Sequence, residues 1–270
     1  EIETSMAIGS DGEYYRINGF ECPLDRLQIL SYFIFVFLIV SYYILLVPLS
    51  DTADAFATVY AVILAGVVPL AVMCSRKDPV DDCVVNNRQG IPLAAIPGLD
   101  ESTLLYCCYC KTHVQKRSKH CRACNKCVSD FDHHCKWLNN CVGGKNYRIF
   151  LILITTTSCL TAFHAATNAF VLYTAWSDDD FIPSRVGRLS STVQNLSRQS
   201  ILIYLTVSAA VGCLAFMLLF HLVSFHGYLL WSGLSTYDYI LIQREAKSNA
   251  EAGRNAVAAA AAATAAVDSG

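Results

Sequence analysis

Four apolar runs, each long enough to cross a lipid bilayer, constrain the fold of this chain more than any other feature. They extend from about Leu27 to Leu49, Ala55 to Cys74, Ile149 to Trp176 and Ile201 to Trp231. A helical span needs about 20 predominantly apolar residues. One such run could be a buried helix of a soluble protein, but four together indicate a membrane protein, as does the 54% hydrophobic content. We therefore predict an all-α membrane fold with four transmembrane helices.

The positive charges predict the orientation of these spans. Seventeen Lys and Arg residues lie before the first span, between the second and third, or after the fourth, whereas three lie in the remaining loops. Cytosolic segments of membrane proteins carry the excess of positive charge. Both termini and the long central segment are therefore predicted to be cytosolic. The net charge of -2 argues against a nucleic-acid partner, because no excess of Lys and Arg is present to meet phosphates.

These features divide the chain into five predicted segments. They are a cytosolic N-terminal segment (1–26), a transmembrane hairpin (27–74), a cytosolic cysteine-rich domain between helices 2 and 3 (75–148), spans 3 and 4 with a lumenal loop at 177–200 (149–231), and a cytosolic tail (232–270). The end of the tail, 249–270, is rich in alanine and has no apolar stripe that could pack. We expect it to be disordered.

The cysteines are concentrated in the central segment. Eight of the thirteen lie between Cys107 and Cys141, interleaved with histidines. A disulfide scaffold would be small and secreted, whereas a dense Cys/His cluster is typical of metal binding in a reducing compartment. The spacing contains two C-x2-C pairs and enough further residues for two structural zinc sites of three Cys and one His each. The predicted ligands are Cys107, Cys110, Cys121, Cys124, His120, Cys127, His134 and Cys141.

Cys135 and His133 remain outside that count, and they stand in the sequence Asp132-His133-His134-Cys135. An acid, a base and a thiol so close together can supply a nucleophile, its proton acceptor and a group that orients the acceptor. A neighbouring imidazolium favours the reactive thiolate. From spacing alone, Cys135 could instead be an alternative zinc ligand.

The segment from Cys107 to Cys141 resembles the DHHC cysteine-rich domain of protein palmitoyltransferases, and the match continues through Asn146 and Phe150. The resemblance implies that one zinc ion is bound by Cys107, Cys110, His120 and Cys127. It implies that the other is bound by Cys121, Cys124, His134 and Cys141. It also implies that Cys135 is the acylated nucleophile, His133 its base and Asp132 the residue that orients the base.

Three motifs depart from the family pattern. Lys136 stands where most members have Pro, as in one animal subgroup of the family. Asp78-Pro79-Val80 resembles the family's Asp-Pro-Gly, and Ser235-Thr236-Tyr237-Asp238 resembles its Thr-Thr-x-Glu. Thr236 matches the position that, in the family, hydrogen-bonds toward the catalytic Asp.

The resemblance implies a protein S-acyltransferase that moves a long-chain acyl group from acyl-CoA, such as palmitoyl-CoA, through acyl-Cys135 to cysteines of other proteins. Its expected partners are two structural zinc ions, the lipid bilayer and substrate proteins with membrane-proximal cysteines. The expected location is an endomembrane, with the active site in the cytosol. The ER or the Golgi is favoured, and the endosome and the plasma membrane are the alternatives. The alternative is a zinc-containing membrane scaffold that transfers nothing.

Overall fold

The structure is a computed structural model that describes residues 7–8, 14–96 and 99–268. The other parts of the predicted N-terminal segment, residues 97–98 and the last two residues of the predicted tail lie outside the described residues. The helices are α1 (Arg26–Ser41), α2 (Val47–Leu49), α3 (Ala53–Arg76), α4 (Asp82–Arg88), α5 (Tyr147–Ser177), α6 (Ser191–Gln194), α7 (Arg198–Ser232) and α8 (Thr236–Asp268). The strands are β1 (Ala7–Ile8), β2 (Tyr14–Tyr15), β3 (Leu105–Cys107), β4 (Thr112–Val114), β5 (Lys119–Cys121), β6 (Lys126–Val128), β7 (His133–Cys135) and β8 (Asn140–Val142).

Among the described residues, four helical stretches are long and apolar enough to cross a membrane. They are Arg26–Leu49, Ala53–Arg76, Tyr147–Ser177 and Arg198–Ser232. Each begins and ends within three residues of the apolar run that predicted it. The strands between the second and third spans form three two-stranded antiparallel hairpins. The predicted fold class, a four-helix membrane protein with a central cysteine-rich domain, is confirmed.

The first span is interrupted near its end. A π-helical turn over Tyr42–Leu46 separates α1 from α2, and Pro48 lies two residues after it. A proline has no N–H to donate, and its ring clashes with the carbonyl of the residue four positions earlier. The wider π turn accommodates both effects.

Aromatic and polar side chains join the four spans inside the bundle. Tyr42 of the first span is fully buried and stacks on Tyr60 of the second, with ring centroids 3.8 Å apart. In the third span, His164 Nε2 lies 3.2 Å from Ser208 Oγ of the fourth, and the Asn168 amide is hydrogen-bonded to the same hydroxyl at 2.9 Å. Polar groups in a membrane bundle face one another in this way because lipid offers them no partner.

The outer faces of the spans are apolar and exposed, with Phe33 71% and Val62 67% exposed. Such a surface suits lipid rather than water. At the end of the third span, Tyr173 and Trp176 are about as exposed, and aromatic residues of this kind are enriched at membrane interfaces.

The two loops opposite the cysteine-rich domain meet through ion pairs. Asp51, between the first two spans, lies 2.6 Å from an Arg185 nitrogen and 3.0 Å from one of Arg188, both of which follow the third span. The guanidinium groups lower the pKa of the Asp51 carboxyl. These contacts place both loops at the same end of the bundle, as four antiparallel spans require.

The altered Asp-Pro-Val segment connects the second span to the central hairpin. Asp78 forms a 2.6 Å ion pair with Lys126, whose side chain is fully buried. Asp81 is also fully buried, and it accepts hydrogen bonds from the backbone N–H of Cys83 and from the Ser118 hydroxyl. These two carboxylates attach the hairpin β5–β6 and the residue before it to the segment that follows the second span.

The described residues from His226 onward form a second compact unit. Within it, the Ser235 and Asp238 side chains cap the start of α8, since Ser235 Oγ donates to Asp238 Oδ2 at 2.7 Å and accepts from the Asp238 N–H at 3.0 Å. Asp238 therefore provides the capping interaction that a Glu would provide at that position. The structure differs from the predicted disordered tail, because α8 continues to Asp268. Alanine has the highest intrinsic helix propensity, so this stretch can be helical without an apolar stripe.

Candidate active site and metal centres

The three hairpins of the cysteine-rich domain repeat one pattern. In each, a strand of three residues leads into a four-residue turn and a second strand of three residues. The last turn residue has a left-handed backbone in all three, at Lys111 (φ 51°), Asn125 (φ 50°) and Asn139 (φ 51°). The first strand ends on Cys107, Cys121 or Cys135 at the same position. The segments 105–114, 119–128 and 133–142 are thus three versions of one ten-residue unit.

Each metal centre combines the turn of one hairpin with the middle of the next. Cys107, at the end of β3, and Cys110, in the turn of the first hairpin, meet His120 and Cys127, which are directly paired across β5 and β6. Cys121, at the end of β5, and Cys124, in the turn of the second hairpin, meet His134 and Cys141, which are paired across β7 and β8. This grouping is the one that the family resemblance implies.

The donor atoms fit a tetrahedral metal ion. In the first centre, Cys110 Sγ lies 3.4 Å from His120 Nδ1 and 3.7 Å from Cys127 Sγ. In the second, Cys124 Sγ lies 3.4 Å from His134 Nδ1 and 3.5 Å from Cys141 Sγ. Tetrahedral zinc with Zn–S bonds of about 2.3 Å separates its sulfur ligands by about 3.8 Å. Both groups can therefore hold a metal ion of this kind.

Cys135 belongs to neither group of metal ligands. It occupies the position of Cys107 and Cys121 in the repeat, but Leu138 stands where Cys110 and Cys124 stand in the other two turns. The third turn therefore lacks the second thiolate that a metal centre requires. This observation argues against Cys135 as an alternative zinc ligand.

The residues around Cys135 form a hydrogen-bonded chain. Asp132 Oδ2 lies 2.6 Å from His133 Nδ1, and His133 in turn hydrogen-bonds to Cys135. Asp132 is buried, and its backbone N–H donates to Val142 O at 3.0 Å across the hairpin. An acid that orients an imidazole and an imidazole that contacts a thiol are the arrangement of an activated nucleophile.

The protonated form of His133 is stabilised in this setting. Burial by itself lowers the pKa of His133, but the hydrogen bonds to Asp132 and Cys135 and the negative charges of both groups outweigh it. Together they raise the pKa of His133 from 6.5 to about 9. An imidazolium at neutral pH can stabilise a thiolate beside it.

The third span contributes to the same site. The rings of His133 and Phe150 form a T-shaped pair, with centroids 5.3 Å apart and an interplanar angle of 70°. Phe150 lies in the first turn of α5 and is buried. Cys135 is itself 8% exposed and belongs to the same hydrophobic cluster as Phe150 and Leu153. The thiol therefore lies against the apolar interior at one end of the bundle.

The family described as DHHC palmitoyltransferase matches residues 100–243 of this chain. That region contains the three hairpins, both metal centres, Cys135 and the last two spans. The chain belongs to the DHHC palmitoyltransferase family.

Curated members of the DHHC family are similar over most of the chain. It is 33% identical to Palmitoyltransferase ZDHHC11 of Danio rerio over 255 residues, which cover 87% of this chain and 59% of that protein. It is 33% identical to Palmitoyltransferase ZDHHC1 of Homo sapiens over 86% of this chain and 52% of that protein. The Probable protein S-acyltransferase 20 of Arabidopsis thaliana is 37% identical over 65% of this chain and 24% of that protein. The chain spans little more than half the length of the first two relatives.

Within the cysteine-rich domain, sequence reasoning missed two features that position the segment Asp132–Cys135. One is the ten-residue repeat, which the alignment of Cys107, Cys121 and Cys135 could have revealed. The other is Asn140, which lies directly opposite Cys135 in the hairpin. Its side-chain nitrogen donates to the carbonyl oxygens of Cys74, Ser75 and Lys77 at 2.9 to 3.2 Å. These are carbonyl groups at the end of the second span, where a helix leaves such acceptors unpaired.

The predicted role of Thr236 stays a prediction. The structure places Thr236 at the first position of α8, in the second compact unit.

Proposed function

We propose that this chain is a protein S-acyltransferase that carries a long-chain acyl group on Cys135 and passes it to cysteines of other proteins. The observation that carries the proposal is the chain of contacts from Asp132 through His133 to Cys135, beside two metal centres of which Cys135 is not a ligand. Membership of the DHHC palmitoyltransferase family supports the same activity.

We propose zinc as the ion of both centres, because three thiolates and one imidazole in tetrahedral spacing are the donor set of structural zinc. The ions would hold the three hairpins together. Cys107, Cys110, His120 and Cys127 would bind one ion, and Cys121, Cys124, His134 and Cys141 the other.

The first step is attack by the Cys135 thiolate on the carbonyl carbon of the acyl-CoA thioester. A new C–S bond forms to Cys135, the bond to the CoA sulfur breaks, and the departing CoA thiolate takes the proton of the His133 imidazolium. Asp132 keeps the imidazole oriented throughout this transfer. The apolar cluster beside Cys135 provides space for the acyl chain, where each buried methylene contributes about 0.8 kcal/mol.

In the second step, His133 takes the proton from the thiol of an acceptor protein. The acceptor sulfur attacks the acyl-Cys135 carbonyl carbon, the acyl group moves to the acceptor, and Cys135 leaves as a thiolate paired with the His133 imidazolium. Acceptor cysteines close to the membrane fit best, because Cys135 lies at one end of the spans. We propose that this end faces the cytosol of an endomembrane, which agrees with the distribution of Lys and Arg.

Purified protein incubated with labelled palmitoyl-CoA and a cysteine-bearing peptide tests the proposal. We expect label to accumulate first on the protein and then on the peptide. Protein that labels itself but transfers nothing to any cysteine acceptor would support the alternative of a non-catalytic scaffold. In that case Lys136→Pro, which restores the residue common in the family, is the informative variant.

A further inference from the structure

A segment before the first span crosses two of the three hairpin turns. We call residues Tyr14–Pro23 the strap. The strap is held in shape by its own side chains, since the Glu21 carboxylate accepts hydrogen bonds from the backbone N–H groups of Ile17 and Asn18 at 3.1 Å. Arg16 is 5% exposed and donates to the carbonyl oxygens of Glu21 and Pro23. These internal hydrogen bonds give the strap a defined conformation of its own.

The first residues of the strap bind the turn of the second hairpin. The backbone N–H of Arg16 donates to Cys124 O at 3.0 Å, and Asn125 Nδ2 donates to Tyr14 O at 2.9 Å. Lys126 Nζ lies 3.3 Å from Ile17 O.

The strap then binds the turn that follows Cys135. The Asn139 side-chain nitrogen shares its two hydrogens among three carbonyl oxygens, those of Gly19, Glu21 and Pro23, at 3.3 to 3.4 Å. Gly19 lies so close to this turn that a Cβ atom on it would be 2.0 Å from Leu138 O. Only glycine fits there without moving the strap or the turn.

Gly19 is also the point at which the strap meets both of the first two spans. Its carbonyl oxygen accepts a hydrogen bond from Gln28 Nε2 of the first span at 2.9 Å, and Gln28 is fully buried. Its N–H donates to Ser75 O, at the end of the second span, at 2.8 Å. The same Ser75 oxygen accepts from Asn140, the residue opposite Cys135.

We infer that the strap is a positioning element for the nucleophile, and that Asn139 and Gly19 are its positioning residues. The third turn has no metal ion to hold it, because Leu138 replaces the second cysteine of the repeat. The strap holds this turn in place of a metal ion and thereby fixes Cys135 relative to the first two spans. The inference rests on the proposed function, because its main measurement is the rate at which Cys135 is acylated.

The first test is Asn139→Gly. Glycine adopts the left-handed backbone of this position at no steric cost, so the change removes the side-chain hydrogen bonds without straining the turn. We expect the maximal rate of self-acylation by palmitoyl-CoA to fall at least fivefold, with the half-saturating concentration changed less than threefold and two zinc ions retained. The matched control is Lys111→Gly, because Lys111 has the same backbone conformation in the first turn and, among the described residues, its side chain forms no hydrogen bond with the strap. It should acylate at the wild-type rate.

The second test is Gly19→Ala, which pushes the strap and the third turn apart. Gly187→Ala is its control, because a Cβ atom at Gly187 has nothing within 4 Å. We expect Gly19→Ala to slow acylation as Asn139→Gly does. In both variants, amide hydrogen exchange at residues 136–140 should accelerate, while exchange at residues 108–111 should not change.

Three results would overturn the inference. The acylation rate could be unchanged in both Asn139→Gly and Gly19→Ala, or it could fall as much in Lys111→Gly as in Asn139→Gly. The strap variants could also lose zinc together with acylation activity. The last would mean that the strap only supports the metal domain. If wild-type protein forms no acyl-enzyme at all, the proposed function fails. The positioning role of the strap is then tested by hydrogen exchange and by the rate at which iodoacetamide alkylates Cys135 in the two strap variants. An unchanged exchange pattern and an unchanged alkylation rate would reject it.

Discussion

Two adjacent histidines of this protein are proposed to serve different purposes, because they are neighbours on one strand. Successive side chains of a β-strand point to opposite faces, so His133 and His134 face different surroundings. His134 Nδ1 lies 3.6 Å from Cys141 Sγ in the second metal centre. His133 Nδ1 lies 2.6 Å from Asp132 and its ring reaches Cys135.

Replacing each histidine with alanine should therefore affect a different property of the protein. His134→Ala removes a ligand, and we expect it to lose one metal ion and to destabilise the hairpins. His133→Ala should keep both ions and slow self-acylation by about 10²-fold or more, which is typical of a lost general base. Metal analysis and acylation rates on the same preparations measure this. Loss of metal from His133→Ala would contradict the assignment.

The raised pKa of His133 predicts a pH dependence. The imidazolium is present below about pH 9 in the folded protein and is lost as the pH rises through that value, so its support of the thiolate is lost in the same range. An ordinary cysteine thiol ionises unaided near pH 8.5. We expect the ratio of wild-type to His133→Ala acylation rates to be large at pH 7 and to shrink above pH 9. A ratio that stays constant from pH 7 to 10 would contradict this role.

At the scale of single elements, the hairpins are too small to be stable alone. Each has two strands of three residues, and an isolated two-stranded hairpin is marginally stable at best in water. Metal binding supplies folding free energy to such domains. The donor atoms of each centre come from two consecutive hairpins, so bound ions would connect the domain into one unit.

Removing one ligand should therefore unfold part of the domain. We expect His120→Ala and Cys124→Ala each to retain about one zinc ion where the wild type holds two, and to be cleaved faster by protease within residues 105–142. Cys108→Ala is the control, because Cys108 lies in the first turn but in neither metal group. Two retained zinc ions in His120→Ala would show that the first centre is assigned wrongly.

Much of these elements could be predicted from the sequence, and the limits have physical causes. The spans follow from length and apolar composition, and the metal ligands follow from their spacing. The pairing of ligands came only from the family resemblance, because spacing does not reveal that Cys107 shares an ion with Cys127 of another hairpin. The strap was missed because hydrogen bonds to its backbone carbonyls leave no residue pattern. The helix near the chain end was missed because the absence of an apolar stripe was given more weight than the helix propensity of alanine.

At the scale of the whole molecule, the arrangement of the spans predicts which loops enter the lumen. A sequon inserted beside Gly187, in the loop between the third and fourth spans, should be glycosylated. The natural sequon at Asn195 should be modified little, because it stands three residues before α7. A sequon inserted beside Gly90 should remain unmodified, since that segment is predicted to be cytosolic. Glycosylation beside Gly90 but not beside Gly187 would reverse the proposed orientation.

The central claim is that Cys135 carries the acyl group and binds no metal. The most direct measurement is to stop the reaction with labelled palmitoyl-CoA, map the labelled residue by mass spectrometry and count zinc in wild-type protein and Cys135→Ser. We predict one hydroxylamine-sensitive acyl group on Cys135, no acyl-enzyme in Cys135→Ser, and two zinc ions in both proteins, because a hydroxyl cannot replace the thiolate and no ligand is removed. Label on another cysteine, or loss of zinc from Cys135→Ser, would contradict the account.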